Sequence, residues 1–219
     1  MEVFVLSKKI FWIIGLVAVC IIGIIVLTDV SEKSVVLDYE GQPFLGEESA
    51  PVEIVEFGDY KCPSCKDFND NLLPIIYKEL VETGKAKLYF MNYSFIAADS
   101  TTAAQFAESV YQELGDEKFW EFHELLFENQ QPDAEQINYF TEEFLKELLA
   151  DVASSEEVEK VLSAYQNHEG EAALKKDMKM ADSLKVSSTP TIFIGGKEFK
   201  GRTMNDFTKM VEEAAADGK

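Results

Sequence analysis

Cysteine and histidine are scarce in this chain, which has three cysteines and two histidines among 219 residues. A structural zinc site needs four ligands, and His123 and His168 are far apart, without the spacing of a ligand pair. A domain of this size also needs no disulfide to hold its core. Cys62 and Cys65, which stand close together, therefore indicate a chemical role rather than a metal site or a brace.

Basic residues are also in short supply. Twenty lysines and arginines face forty aspartates and glutamates, which leaves a formal charge of −20. A surface of this sign repels phosphate backbones and anionic lipid headgroups, so we expect no nucleic-acid partner. The 47% of hydrophobic residues is ample for a core.

Charge is missing altogether between Ile10 and Leu27, a stretch that as a helix spans roughly 27 Å, close to the hydrocarbon thickness of a bilayer. We predict an uncleaved transmembrane anchor at residues 10–28, in which Cys20 is a passive residue. Lysines precede the anchor and acidic residues follow it, so the positive-inside rule keeps residues 1–9 in the cytoplasm. The protein is thus expected to be a single-pass protein of the cell membrane, with its main domain on the extracytoplasmic side, where disulfides persist.

Strand-like and helix-like patterns alternate beyond the anchor. Residues 29–50 are predicted to form a linker and an edge strand. Apolar runs predict strands at 52–57, 87–91 and 191–194, the last joined to 198–200 by a glycine hairpin. Apolar residues at helical spacing predict a helix after Cys62, kinked at Pro74, and further helices at 100–114, 117–127, 139–152, 156–165, 171–184 and 204–216. The chain is therefore expected to have an α/β core of βαβ and ββα units, at residues 51–98 and 185–219, interrupted by an all-helical insertion at 99–184.

The sequence Cys62-Pro63-Ser64-Cys65 follows a predicted buried strand and opens a predicted helix. Free N–H groups and the macrodipole at a helix start favour a thiolate, the reactive form of cysteine, and proline is well suited to the first helical position. Cys62 is expected to be an exposed nucleophile of low pKa, and Cys65, one turn deeper, a shielded resolving thiol. A purely structural Cys62–Cys65 bridge is the alternative, although so short a loop contributes little stability.

Two further features near this motif carry information. Glu56 interrupts the buried strand, and burial would raise its pKa and suit it to carry a proton for Cys65. The alternative is that the strand end is exposed and Glu56 is an ordinary surface residue. Thr189-Pro190 stands at the head of an apolar strand, where proline indicates a special backbone site. His123 falls among apolar residues of a predicted helix, and we expect it to be a core residue.

These motifs in combination resemble a known family. The stretch from Glu56 to Lys66, Glu-Phe-Gly-Asp-Tyr-Lys-Cys-Pro-Ser-Cys-Lys, and the later stretch from Val186 to Thr191, Val-Ser-Ser-Thr-Pro-Thr, resemble the DsbA-like thiol–disulfide oxidoreductases. The resemblance is strongest to the membrane-anchored BdbD-type proteins of Gram-positive bacteria, and it covers roughly residues 35–216, essentially all of the chain except the anchor.

The resemblance implies a thioredoxin fold with a helical insertion, in which Cys62 is the attacking and leaving sulfur and Cys65 its partner. It implies that Pro190 is cis and lies against the disulfide, and that the Thr189 backbone holds an extended substrate segment by strand-like pairing. Glu56 matches the buried acid of such proteins. It also implies reoxidation by a quinone-linked membrane oxidase of the DsbB type, with no cofactor beyond the Cys62–Cys65 disulfide.

The chain departs from the family pattern at one informative position. The best-known oxidants of this family carry histidine between the cysteines, where this chain has Ser64. Without the imidazole, the Cys62 thiolate loses a stabilising neighbour, so the strength of oxidation is less well specified than the reaction. Some BdbD-type relatives bind calcium, but no EF-hand-like loop is present, and the sequence assigns no residue to a metal.

Three functions follow from these features. The first is an oxidase, acting as a monomer, that introduces disulfides into unfolded or reduced secreted or surface proteins. The second is a reductase or isomerase that uses the same residues in the opposite sense, although no dimerisation domain precedes the core. The third is a peptide-binding holdase without enzymatic activity, in which the disulfide is structural.

Overall fold

The computed structural model describes residues 34–133, 135 and 137–218. The predicted cytoplasmic segment, the predicted anchor at 10–28 and the first part of the predicted linker lie outside those residues. Within the described part of the chain, no helix is long and apolar enough to cross a membrane. The chain from Val35 onward forms one compact unit.

A mixed sheet is the centre of this unit, and its order among the described strands is β1-β3-β2-β4-β5. The strands are β1 (Phe44–Leu45), β2 (Glu53–Gly58), β3 (Lys87–Asn92), β4 (Thr191–Ile194) and β5 (Lys197–Glu198). β2 runs parallel to β3 and antiparallel to β4. Every residue of β2 after Glu53 is buried, as expected of an apolar run covered on both faces. β1 lies at the edge of the sheet, where it pairs antiparallel with β3.

The two faces of the sheet are covered by different apolar layers. Ile54 of β2 packs into the larger layer, which also contains Cys62 and Cys65. Val55 and Phe57 pack into a smaller layer on the opposite face. Because side chains alternate along a strand, Glu56 lies on the face of Ile54 and therefore on the face of the two cysteines.

The first helix, α1, begins directly after Cys62 and has an irregular backbone. It consists of four consecutive segments, Pro63–Asp67, Phe68–Leu72, Leu73–Ile76 and Tyr77–Val81, of which the second and fourth are π-helical. Pro74 lies in the first turn of the third segment. Since proline has no N–H, the regular hydrogen-bond ladder cannot run through it.

Helices fill the chain between β3 and β4. They are α2 (Ala98–Glu128), α3 (Glu142–Leu149), α4 (Ser155–Gln166) and α5 (Glu171–Ser183), and α6 (Met204–Asp217) follows β5. Gly115 bends α2 with a φ of 81°, a conformation that favours glycine, so the predicted break at this glycine is confirmed. The hairpin between β4 and β5 is also confirmed, with Gly195 and Gly196 both at positive φ.

One helix start differs from the prediction. The sequence pattern predicts that α3 starts at Tyr139, but the helix begins only after Thr141, whose hydroxyl accepts from the Phe144 N–H at 3.2 Å. The N–H groups of Tyr139 and Phe140 instead donate to Asp99 at the start of α2. A contact far away in sequence therefore sets this helix start, and periodicity contains no signal for it.

Candidate active site

Cys62 lies where the turn after β2 enters α1. It is the N-cap residue of the helix, with extended backbone angles, and Pro63 occupies the first turn. The Cys62 carbonyl accepts hydrogen bonds from the N–H groups of Cys65 and Lys66, both at 3.1 Å. The placement predicted from the order of strand, motif and helix is confirmed.

The Cys62 thiol is held in a setting that stabilises its anion. Its pKa falls from 9.0 to about 6, mainly because the Cys65 thiol donates a hydrogen bond to it; the contact with Thr189 and the N–H groups of Cys65 and Ser64 lower it further. As a thiol, Cys62 donates to the Thr189 carbonyl oxygen at 3.2 Å. Only 5% of the residue is exposed, less than the sequence suggests, because the Thr189 backbone lies directly against the sulfur.

Cys65 has the opposite environment. It is fully buried, and burial raises its pKa well above the ordinary value, with the hydrogen bond to Cys62 as the next cause. Both residues are free thiols in the structure. Two chemically identical groups therefore differ strongly in acidity. Cys62, the more acidic of the two, is also the more exposed.

Glu56 is buried in the middle of the sheet, with 2% of the residue exposed. It lies opposite Phe90 of β3 and Ile192 of β4. Burial, and secondly the charge of Cys62, raise its pKa from 4.5 to about 8, and its Oε1 atom has no hydrogen-bond partner. The structure thus agrees with a buried acid and not with the alternative of a surface residue.

The Thr189–Pro190 peptide bond is cis, as the resemblance implies. It leads into β4, whose first residue, Thr191, lies opposite Phe57 of β2. The loop thereby reaches the end of the strand that leads to the active-site turn. Thr189 brings its carbonyl to Cys62, while its own hydroxyl Oγ1 is buried without a hydrogen-bond partner.

Four polar residues that no sequence pattern singles out surround this turn. Asp59 accepts from the N–H groups of Phe95 and Ile96, and Gln130 donates to the carbonyl of Cys62. Lys61 is buried against Asp99, with their charged atoms 2.9 Å apart. For Asp59 and Lys61, the sequence does contain a signal, because each is a charged residue close to the end of a predicted buried strand. For Asp99 and Gln130 the sequence contains no such signal.

His123 is a core residue, as predicted. It is 1% exposed, and burial lowers its pKa to about 3, so the ring is neutral. The Tyr60 hydroxyl lies 3.1 Å from its Nδ1 atom. No contact links His123 to either sulfur among the interactions described, and we assign it no part in the chemistry.

The calcium ion bound by some BdbD-type relatives would need oxygen ligands among the described residues. No group of three or more histidine, cysteine, aspartate or glutamate side chains there could hold a metal. Two buried carboxylates do meet two buried amides: Gln42 donates to Asp177 at 2.6 Å and Asn92 to Glu108 at 2.8 Å. The carbonyl oxygens Gln42 Oε1 and Asn92 Oδ1 have no partner, so this all-oxygen set fits a hard cation.

Two neighbouring thiols of unequal acidity, with a buried acid on the same face of the sheet, define a site for thiol–disulfide exchange.

Comparison with known proteins supports this class of site. The family model described as thioredoxin matches residues 38–213. Disulfide bond formation protein D of Bacillus subtilis is 39% identical over 183 residues, which cover 82% of this chain and 79% of that protein. Probable disulfide bond formation protein D of Bacillus anthracis is 31% identical, covering 84% and 85%.

A solved structure of a relative leads to the same family. The crystal structure of oxidised BdbD from Bacillus subtilis matches with a TM-score of 0.75 at 35% identity, covering 84% of this chain and 97% of that one. Chlamydia trachomatis DsbA shares the fold, with a TM-score of 0.69 at 22% identity over 83% and 95% of the two chains.

The chain therefore belongs to the thioredoxin family, within its DsbA-like thiol–disulfide oxidoreductases of the BdbD type. The predicted thioredoxin fold with a helical insertion is confirmed. The protein is a disulfide-introducing oxidoreductase whose redox-active group is made of its own cysteines.

Proposed function

We propose that this protein is a membrane-anchored dithiol oxidase that passes the Cys62–Cys65 disulfide to reduced secreted or surface proteins. In the first step, a substrate thiolate attacks Cys62 Sγ. The Cys62–Cys65 bond breaks, a mixed disulfide forms between substrate and Cys62, and Cys65 leaves as a thiolate that takes up a proton.

Glu56 is proposed to supply that proton. It is a buried acid on the face of the sheet where Cys65 packs, and its raised pKa keeps it protonated at neutral pH. Cys65 holds its proton strongly for the same reason, since burial disfavours its anion. Proton transfer from Glu56 therefore avoids a buried thiolate.

The second step releases the product. A second substrate thiolate attacks the substrate's own sulfur in the mixed disulfide, and Cys62 leaves as a thiolate. The substrate has then lost two electrons and the enzyme has gained them. The low pKa of Cys62 makes it a good leaving group, so the step favours transfer of the disulfide to the substrate.

Substrate binding is assigned to the loop of Thr189 and Pro190, and Pro190 is proposed to lie against the reactive pair. Its backbone lies beside Cys62 and offers main-chain groups to an extended peptide. Such pairing recognises backbone and not sequence, which suits an enzyme acting on many unfolded chains. Pro63 and Ser64 complete the motif, the first by starting the helix and the second as an exposed neighbour of Cys62.

The location and partner are proposed from the sequence. Residues 10–28 would anchor the protein in the cell membrane, with 1–9 in the cytoplasm and a linker and edge strand at 29–50. The thioredoxin-like domain at 51–98 and 185–219, with its insertion at 99–184, would lie outside. A quinone-linked membrane oxidase of the DsbB type would remove the two electrons, and the enzyme would act as a monomer.

Calcium is proposed as a structural ligand. The carboxyl groups of Glu108 and Asp177 and the amide oxygens of Gln42 and Asn92 would hold it, and its charge would let both acids ionise although burial raises the pKa of each. These residues come from β3, from two helices of the insertion and from the segment before β1. The ion would have no part in the redox steps.

The observation that carries the proposal is the opposite change in acidity of Cys62 and Cys65. Its test is oxidation of a reduced model protein, monitored by thiol loss, with the wild type and with Cys62→Ser. We expect the variant to lose all transfer. Equal transfer by both proteins would refute the enzymatic role and leave the holdase.

The direction of transfer is tested separately. The protein is equilibrated with a glutathione redox series, and the fraction oxidised gives its reduction potential. We expect a potential of about −180 mV or higher, in the range of oxidising members of the fold; a value near the −270 mV of thioredoxin would show a reductase instead.

A further inference from the structure

Lys61, the residue immediately before Cys62, is completely buried. Lysine is rarely buried without a partner, because desolvation of its charge is costly. Its Nζ atom lies 2.9 Å from Asp99 Oδ2 and 4.0 Å from the centre of the Tyr139 ring, and it donates to the Ile137 carbonyl. All three partners belong to the helical part of the chain, so the side chain of Lys61 joins that part to the active-site turn.

Asp99 extends the same link. Its Oδ2 atom also accepts from the N–H groups of Tyr139 at 2.7 Å and Phe140 at 3.0 Å. One carboxylate thus holds the Lys61 ammonium and two consecutive backbone donors of the segment before α3. The contacts of Lys61 and Asp99 fix this segment against the residue next to Cys62.

The backbone around Lys61 is also held by hydrogen bonds, in addition to the side-chain contacts. Its N–H donates to Asp59 Oδ1 at 2.9 Å, while the Asp59 carbonyl accepts from the Cys62 N–H at 2.9 Å. Gln130 adds a second link from the insertion, donating to the Tyr60 carbonyl at 2.9 Å and to the Cys62 carbonyl at 3.1 Å. Hydrogen bonds therefore fix the backbone of Tyr60, Lys61 and Cys62, the stretch that leads into the helix.

We propose that Lys61 is a positioning residue, which through Asp99 and the Ile137 carbonyl holds the Cys62 thiol between the Thr189 carbonyl and the N-terminal N–H groups of α1. The ammonium group points into the insertion, so Lys61 touches no reacting atom. It acts through the geometry of the turn. The inference rests on the proposed function only in taking Cys62 as the reactive sulfur.

The test separates positioning from stability. Lys61→Met and Asp99→Asn each leave one buried partner unmatched, and both are expected to lower the melting temperature. The double variant removes both charges, and replacing a buried ion pair by groups without charge commonly restores stability. We expect the double variant to melt close to the wild type.

Reactivity is expected to stay impaired in that stable double variant. The rate of Cys62 alkylation by iodoacetamide at pH 7 should fall roughly tenfold, as small misplacements of a reacting group cost at least that much. The thiolate absorbance at 240 nm should titrate at higher pH than in the wild type. Wild-type alkylation and titration in a variant of wild-type stability would overturn the proposal.

Two further proteins keep the test decisive. Gln130→Ala removes the second link without touching the buried pair, and it should also slow alkylation. If the double variant does not fold, Gln130→Ala takes its place in the test. Unchanged alkylation in a folded Gln130→Ala would then count against the proposal. Lys146→Met with Glu159→Gln removes an exposed ion pair of the insertion and should change neither quantity. Because alkylation requires no protein substrate, a failed disulfide transfer by the wild type would refute the proposed function and leave this inference standing.

Discussion

Acidity in the active site is decided by the surroundings of single residues. Cys62 and Cys65 are separated by two residues, yet the first receives hydrogen bonds that favour its anion and the second is enclosed by apolar groups. Thiol–disulfide exchange expels the sulfur that better bears a negative charge. The mixed disulfide is therefore expected to resolve by loss of Cys62, which returns the enzyme in its reduced form.

Glu56→Gln tests the proton donor. The substitution keeps the size of the side chain but removes its proton at neutral pH, so we expect disulfide transfer at pH 7 to slow by roughly tenfold or more, since positioned acids contribute at least that much. In the wild type, transfer should decline as pH rises through about 8, where Glu56 ionises. Stopped-flow measurement of transfer between pH 6 and 9 should show that decline in the wild type alone.

The matched control lies on the same strand. Glu53 is half-buried at the start of β2, where its Oε1 atom lies 3.6 Å from the Lys87 Nζ atom. Glu53→Gln should leave the rate and its pH profile unchanged. Equal loss of rate in both variants would mean that strand charge in general, and not the acid at Glu56, affects the reaction.

Ser64→His tests the departure from the family pattern. Ser64 is exposed and its N–H helps to stabilise the Cys62 thiolate, so an imidazolium at this position adds a cation beside that anion. The pKa of Cys62 should fall below about 6, and the reduction potential should rise by about 30 mV or more, equivalent to 1.4 kcal/mol. Glutathione equilibration measures it, with Ser64→Gln as the uncharged control. An equal rise in both variants would show that charge is not the cause.

At the scale of helices and strands, the sequence predicts a feature well when the residues that determine it are neighbours in the chain. Periodicity located β2, β3 and β4 because burial on both faces leaves a continuous apolar run. The start of α1 was also predictable, since motif, proline and preceding strand are adjacent. The start of α3 and the burial of Lys61 were not predictable, because partners distant in sequence decide them.

A cation at Gln42, Asn92, Glu108 and Asp177 would connect several of these elements. We expect calcium at a hundred times its dissociation constant to stabilise the protein by about 2.7 kcal/mol, if it binds only the folded state. For a domain of this size that corresponds to a rise in melting temperature of roughly 5–10 °C. Scanning calorimetry with calcium, and with the chelator EDTA, measures it.

Glu108→Gln is the control for that cation. It keeps the side-chain volume and removes one carboxylate, so the calcium-dependent rise should disappear while magnesium, which demands a tighter geometry, gives little effect in either protein. A rise of equal size in the variant would place the ion elsewhere. No rise in the wild type would show that these four residues hold no calcium.

At the scale of the whole molecule, oxidising power is a difference in stability between two redox forms. The Cys62–Cys65 disulfide closes a very short loop, so it removes little entropy from the unfolded chain. The reduced form gains a stabilised thiolate at Cys62 that the oxidised form lacks. A protein with both properties releases its disulfide because folding favours the reduced state.

The stability difference should therefore depend on pH in a defined direction. The pKa of Cys62 is lower in the folded reduced protein, at about 6, than the ordinary 9.0, so its contribution is complete above pH 9 and is lost as pH falls through about 6. We expect the unfolding free energy of the reduced form, relative to that of the oxidised form, to rise by roughly 2–4 kcal/mol between pH 5 and pH 8, since each unit of pKa corresponds to about 1.4 kcal/mol. Urea unfolding of both forms at the two pH values measures the difference.

Two comparisons isolate the cause of this pH dependence. Cys62→Ser forms no disulfide and no thiolate at this position, so its unfolding free energy should lack the rise between pH 6 and 9 that the reduced wild type shows. The measurement is repeated in Glu56→Gln, which removes a buried carboxyl group whose pKa responds to Cys62, and the rise should persist. If oxidation proved strongly stabilising at pH 8 in the wild type, the Cys62 thiolate would not be the source of oxidising power, and the assignment of Cys62 as the favoured leaving group would fall with it.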